Sequence, residues 1–174
     1  LFDDEKKLWI GQNIKYDMLM LKWYGIVLKG EIFDTMLAHY VIEPDGKRSM
    51  DWLSAKYLGY EPIPIEELIG KKGKNQGNMK DVELEKIKEY AVEDADITLQ
   101  LKNIFLPKLK EKAVEKVFYE VDNPLVKVLT AMEFEGIGLD VPFLNEYSKT
   151  LAVELYDMRD KIYKISGVEF NIDS

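Results

Sequence analysis

The chain contains no cysteine and a single histidine, His39. No disulfide can form, and zinc sites built on cysteine or on a histidine cluster are excluded. Freedom from cysteine also fits a cytoplasmic protein. Any metal chemistry must use oxygen ligands, which favours Mg²⁺ or Mn²⁺. No segment approaches ~18 uninterrupted apolar residues, so no membrane span is expected. Positive charge is also short: 24 Lys and Arg face 32 Asp and Glu, for a net charge of −8. That disfavours a nonspecific duplex binder, which would be basic. It leaves room for an enzyme that takes a few nucleotides of single strand at a local site. Lys71, Lys72 and Lys74, with Gly70 and Gly73, form the one basic cluster. It is either a phosphate contact or a solvated loop.

What is present suits a packed core: 47% of the 174 residues are hydrophobic and 11% aromatic. The length gives room for one domain and part of another. Lys7 to Gly11 reads as a short strand. A helix follows from Ile14 to Tyr24, then an extended segment from Ile26 to Phe33 interrupted by Gly30. Two strands joined by a helix imply a parallel pair. Asp34 caps a helix to about Ile42. Met50 to Tyr57 and Ile65 to Ile69 read as short helices, the second begun by Pro64. A long helix starts at Asp81, and Pro107 is expected to break or kink it. Lys110 to Glu135 is helical, with Pro124 as a kink or new start. Leu139 to Val141 is a short extended piece, and Pro142 opens a last helix ending by Gly167.

Two acids stand where apolar residues belong. In the long helix, Ile87, Ala91, Thr98, Leu101 and Phe105 recur at helical spacing, and Asp94 occupies the place that continues the stripe. Burying an unpaired carboxylate costs several kcal/mol (roughly,), so something must hold its charge. Tyr90 lies four residues back on the same face. Earlier in the chain, Asn13 and Asp17 make a second such pair, with Asp17 beside Ile14, Met18 and Leu21. Either acid alone is explained well enough by a stripe edge, a buried arginine or a helix N-terminus. Together they suggest two acids converging on a cation.

The words around these pairs carry a resemblance. Asn13-x-x-x-Asp17 resembles the second motif of the DEDD-type 3′–5′ exonucleases, and Tyr90-x-x-x-Asp94 their third motif in its tyrosine variant. Gly11-Gln12-Asn13-Ile14-Lys15-Tyr16-Asp17, Phe33-Asp34-Thr35-Met36-Leu37 and Tyr90-Ala91-Val92-Glu93-Asp94-Ala95-Asp96 are similar to the proofreading domain of family A DNA polymerases. Glu135-Gly136-Ile137-Gly138-Leu139-Asp140 and Gly167-Val168-Glu169-Phe170-Asn171 resemble the opening of that family's polymerase domain. The set covers nearly the whole chain in order.

The resemblance implies an α/β, mainly helical fold: part of a ribonuclease H-like exonuclease domain over residues 1–115, then long helices opening the polymerase domain over residues 116–174. It implies a DNA-directed DNA polymerase whose exonuclease removes mispaired 3′-terminal nucleotides by two-metal hydrolysis. Asp94 would hold the metal that carries the attacking water, Asp17 would support the second, and Tyr90 would orient the water. Asn13, Met36, Ile65 and Lys47 would meet the substrate, a single-stranded 3′ end of DNA. Two Mg²⁺ or Mn²⁺ ions are the expected cofactors. The family's first motif, Asp-x-Glu, has no counterpart at the right place. Asp3-Asp4-Glu5 lies too close to Asn13, and Asp81-Val82-Glu83 follows the second motif and opens a helix, where acids are favoured by the dipole. The 174-residue chain alone is therefore expected to be inactive, and its first strand, lacking a neighbour, to recruit a second copy. Two other readings share the motifs. One is a free-standing DEDD exonuclease, against which the segment after Val117 counts. The other is a vestigial scaffold, against which the retention of Asn13, Asp17, Tyr90 and Asp94 counts.

Overall fold

The computed structural model describes residues 1–172. The chain divides into two compact units, Leu1–Glu135 and Gly136–Ser174. The first opens with strand β1 (Leu8–Gly11), helix α1 (Ile14–Trp23), strand β2 (Glu31–Asp34) and helix α2 (Thr35–Ile42). The strands pair in parallel, with Leu8 opposite Glu31 and Gly11 opposite Asp34. This is the expected strand–helix–strand unit, with the second strand confined to the segment after Gly30. Gly30 has φ 94°, and a Cβ there would lie 2.3 Å from the Lys7 carbonyl oxygen, so only glycine lets the chain cross so close to β1.

Side chains alternate across the two strands, and each face meets its own core. Ile10 and Phe33, register partners, join Ala38, Leu53, Ile97, Leu101, Phe105, Leu109 and Phe118. Trp9 and Ile32, the next pair, join Ile14, Met18, Leu28 and Val126. The larger core is built by helices α3 (Met50–Leu58) and α5 (Leu84–Glu111) against α2, with α5 also lying on β1. Ile97, Leu101, Phe105 and Leu109 repeat every four residues and are almost fully buried, each worth about 1.5–3 kcal/mol of transfer free energy. The short helix α4 (Ile65–Ile69) and a 3₁₀ turn at Met79–Asp81 lead into α5.

Three expectations change. The helix does not break at Pro107; it runs on to Glu111. The proline sits in the last two turns, where it removes a single interior hydrogen bond while Leu109 beyond it stays packed in the core. The turn falls instead at Ala113, a non-glycine residue at φ 57°. The stripe also ends earlier than its spacing suggests: Ala91 is exposed, and continuous burial begins at Ile97. Leu139 and Asp140 form no strand; Asp140 caps the next helix.

After Ala113 come α6 (Glu115–Val117), a π-helical turn (Phe118–Asp122) and α7 (Asn123–Glu135). Phe118 lies in one core and Val126 in the other, so packing carries the first unit past residue 115. Helix α7 also closes the outer side of β2. The Asn123 side-chain amide donates to the Ile32 carbonyl, and Lys127 Nζ to that of Gly30, 2.8 Å away. Among the described residues no third strand joins β1.

The second unit is helix α8 (Val141–Ser166), with Pro142 in its first turn, the Asp140 carboxylate accepting from Phe143 N at 3.0 Å, and Gly167 in the left-handed conformation at its end. The tail folds back: the Tyr163 hydroxyl donates to the Phe170 carbonyl at 2.8 Å. No helix among the described residues is long and apolar enough to cross a membrane.

Candidate active site

Both pairs lie on or at the start of helices of the first unit, and the Tyr90–Asp94 pair is joined by a hydrogen bond. Asn13 precedes α1 in the left-handed conformation, φ 60° and ψ 49°, and its side chain caps nothing. Asparagine tolerates this conformation better than most residues. The amide is left open to a ligand. Asp17 lies one turn on. Ile14 and Met18 are buried as expected, but Asp17 is on the exposed flank of the same helix. Partial burial still raises its carboxyl pKa, and the charge of Asp34 raises it further.

Asp34 was expected only to cap α2; it also reaches α1. At 1% exposure its carboxylate accepts from Met36 N (2.9 Å) and Leu37 N (3.2 Å), and across the sheet end from Asn13 N (3.2 Å) and Ile14 N (2.9 Å). Burial raises its pKa against these four donors. Thr35 adds a second tie: its hydroxyl lies 3.1 Å from the Gly11 carbonyl and 2.5 Å from Gln12 Oε1.

The second pair lies on the α5 turn before the core stripe. Burial and the adjacent Asp94 push the Tyr90 hydroxyl up to about 12. Asp94 is raised too, first by burial and then by the charges of Glu93 and Asp51, while its hydrogen bond from Tyr90 lowers it. Asp94 Oδ1 is buried and has no hydrogen-bond partner. A carboxylate oxygen in that state is disfavoured unless a cation or water meets it, so Asp94 offers one oxygen to a hard metal ion. The chief charge acting on Asp17 is that of Asp34, and those acting on Asp94 are Glu93 and Asp51. Among the described residues no group of three or more His, Asp or Glu stands ready to hold a metal.

Of the four candidate substrate contacts, Met36 is half-buried in the first turn of α2, while Lys47 and Ile65 are exposed. Arg48, next to Lys47, lies over the Tyr40 ring, 5.0 Å from its centroid. Glu93, expected to face solvent or a neighbouring helix, instead fastens the 60–63 segment to α5: its carboxylate accepts from the Tyr60 hydroxyl and from Ile63 N at 2.8 Å. No sequence signal distinguishes it from other surface acids.

The first unit is thus an α/β unit that carries one of these acids on α1 and the other on α5. Residues 1–110 match the 3′–5′ exonuclease family of the A-type DNA polymerases, and the chain belongs to that family. It is 39% identical to the DNA polymerase I of Rhizobium leguminosarum over its whole length and 17% of that protein. With the DNA polymerase I of Borreliella burgdorferi it shares 41% identity over the whole chain and 19% of that protein. It thus spans about a fifth of these relatives. Among solved structures, the POL domain of Pol1 from M. smegmatis, in complex with DNA primer-template and dNTP, superposes with a TM-score of 0.79 over 99% of this chain and 27% of that one, at 20% identity. This likeness bears out the fold, and the family brings with it a dependence on divalent metal ions.

Proposed function

We propose that this chain supplies the Asn13–Asp17 and Tyr90–Asp94 parts of a proofreading 3′–5′ exonuclease, which in the intact DNA polymerase I removes mispaired nucleotides from the single-stranded 3′ end of DNA. The observation that carries this reading is the buried, unpartnered Oδ1 of Asp94 beside a tyrosine whose hydroxyl is held protonated. Hydrolysis of a phosphodiester by this class uses two Mg²⁺ or Mn²⁺ ions ~3.5–4 Å apart.

When bound, the metal supplies an activated water and stabilises the leaving oxygen. Asp94 and Asp17 are the residues of this chain that would hold the ions, Asp94 the one that carries the water and Asp17 the second. With its pKa near 12, Tyr90 keeps its proton at neutral pH; it donates one hydrogen bond and orients rather than deprotonates the water. Asn13, with an uncommitted side chain, and Met36, at the mouth of α2, meet the terminal nucleotide. Ile65 and Lys47 are the outer contacts, with base or sugar and with phosphate respectively. Residues 116–174 open the polymerase part, with a structural role at the base of its thumb.

The test is release of 3′-terminal nucleotides from a 5′-labelled single-stranded oligonucleotide by the intact protein in Mg²⁺. Asp94→Asn and Asp17→Asn should each reduce the rate by orders of magnitude, and Tyr90→Phe by less. Unchanged hydrolysis in Asp94→Asn overturns the proposal. The 174-residue polypeptide alone, with two acid pairs and no complete ligand group among its described residues, should release no mononucleotides.

A further inference from the structure

One buried carboxylate joins the starts of both helices that flank the end of the sheet. Asp34 ends β2, and Gly11, its register partner, ends β1. Both strands therefore deliver their following helices at the same level. Asp34 Oδ1 accepts from Asn13 N, Met36 N and Leu37 N, and Oδ2 from Ile14 N. Capping α2 needs only one oxygen. The second oxygen, and one bond to the first, are spent on α1, twenty residues earlier in sequence.

We propose that Asp34 is a positioning residue of the exonuclease site, which locks α1 to α2 and thereby fixes Asn13, Asp17 and Met36 relative to one another. This rests on the functional reading above. The backbone at Asn13 lies in a sparsely populated left-handed conformation that the surroundings must hold in place. The two bonds from Asp34 flank that residue, and the Thr35 hydroxyl grips the Gly11 carbonyl just before it. Asp34 itself is sealed from solvent, so it touches neither substrate nor solvent water and acts through the helices.

The chemistry of the carboxylate makes the idea separable from simple capping. Asp34→Asn keeps one acceptor oxygen and places an NH₂ donor against the second. If the oxygen stays with its three donors, the NH₂ faces Ile14 N–H. Asp34→Ser keeps a short acceptor suited to α2 that does not extend to α1. Both variants therefore spare the α2 cap; Asp34→Asn frees Ile14 N, and Asp34→Ser frees both Asn13 N and Ile14 N. In the intact protein, kcat for release of the 3′-terminal nucleotide should fall about 10- to 100-fold, as for other residues that orient a catalytic group from behind. Amide exchange at Ile14 in both variants, and at Asn13 in Asp34→Ser, should quicken about tenfold or more, while that at Met36 and Leu37 stays near the wild-type rate. Leu109→Ala, a core truncation remote from α1, controls for lost stability and should leave kcat near wild type.

Unchanged kcat in both Asp34 variants overturns the proposal, as does a loss of kcat with undisturbed exchange at Asn13 and Ile14. A loss matched by Leu109→Ala reduces Asp34 to a structural residue and overturns it equally. If neither Asp34 variant folds, Thr35→Val, which cuts the ties to Gly11 and Gln12 just before α1, takes their place with the same expected direction. If Asp94→Asn retains wild-type hydrolysis, the functional reading fails instead, and exchange at Asn13 and Ile14 alone then decides whether Asp34 locks the helices.

Discussion

Replacing Asp94 with asparagine should make the metal-free chain more stable while removing its proposed activity. The buried Oδ1 has no hydrogen-bond partner, and Glu93 and Asp51 add repulsion. Leaving a buried polar group unpaired costs ~1–3 kcal/mol, and more if it is charged. Asp94 is only half-buried and keeps its bond from Tyr90, so the lower part of that range applies, about 1–2 kcal/mol. The amide carbonyl in Asp94→Asn can still accept from Tyr90, and the NH₂ replaces the orphaned anionic oxygen. For a chain of this size, 1 kcal/mol moves Tm by about 2–4 °C, which gives a rise of roughly 2–8 °C. The pH dependence follows from the sign of the shift. The carboxyl pKa is raised in the folded state, so the wild type loses stability as pH rises from the unfolded value through the folded one. The advantage of Asp94→Asn should therefore be full at neutral pH and shrink toward acid. Denaturant titration of both polypeptides in EDTA measures it, and in the intact protein Mg²⁺ should narrow the gap by favouring the wild type. If Asp94→Asn is folded but no more stable than wild type in EDTA at neutral pH, the unpaired oxygen carries no strain and the reasoning fails.

Other outcomes follow from the same structure. The His39 side chain is fully buried with Nε2 3.7 Å from Glu43 Oε2, and burial lowers its pKa; Glu43 opposes the shift, while Lys56 and Arg48 reinforce it. Its contribution to stability should be complete above its unfolded pKa, ~6.5, and be lost as pH falls below it; the difference between wild type and His39→Leu in denaturant midpoint against pH should show this loss. Phe105→Ala should destabilise by about 3–5 kcal/mol, because the ring is fully buried, 5.1 Å from Tyr57 and 5.6 Å from His39 between centroids; urea unfolding checks it. The open side of β1 should make the polypeptide self-associate or be less stable than one extended upstream, and sedimentation with denaturation of both would expose a monomer of equal midpoint as the contrary result.

The order of elements was legible because its signals are local. The Leu-Trp-Ile run of β1, the Asp34 cap, Pro142 and Gly167 each act within a few residues, and the observed bounds follow them closely. Tyr90 and Asp94 were legible as a pair because helical spacing alone brings them together. What escaped depends on distant parts of the chain. Ala91 fits the stripe by period, but no element covers it. Pro107 should have ended a helix judged by its own sequence, yet the burial of Leu109 outweighs one lost hydrogen bond. The reach of Asp34 to α1 and the grip of Glu93 on residues 60–63 depend on tertiary approach, and no short-range pattern encodes them.

The shared wall between the two cores has a further consequence for fidelity of folding. A slip of β1 by one residue along β2 would turn Trp9 toward the core that holds Phe105, and Ile10 toward the one that holds Met18. Neither cavity matches the exchanged side chain, so both cores reject the slipped state at once. The same slip would carry the start of α1 about 3.3 Å along the strand direction, beyond the hydrogen-bonding range of the Asp34 carboxylate. Correct pairing of four residues thus decides whether the start of α1 meets the Asp34 carboxylate, and the bulky side chains of the two cores act as the check on that alignment.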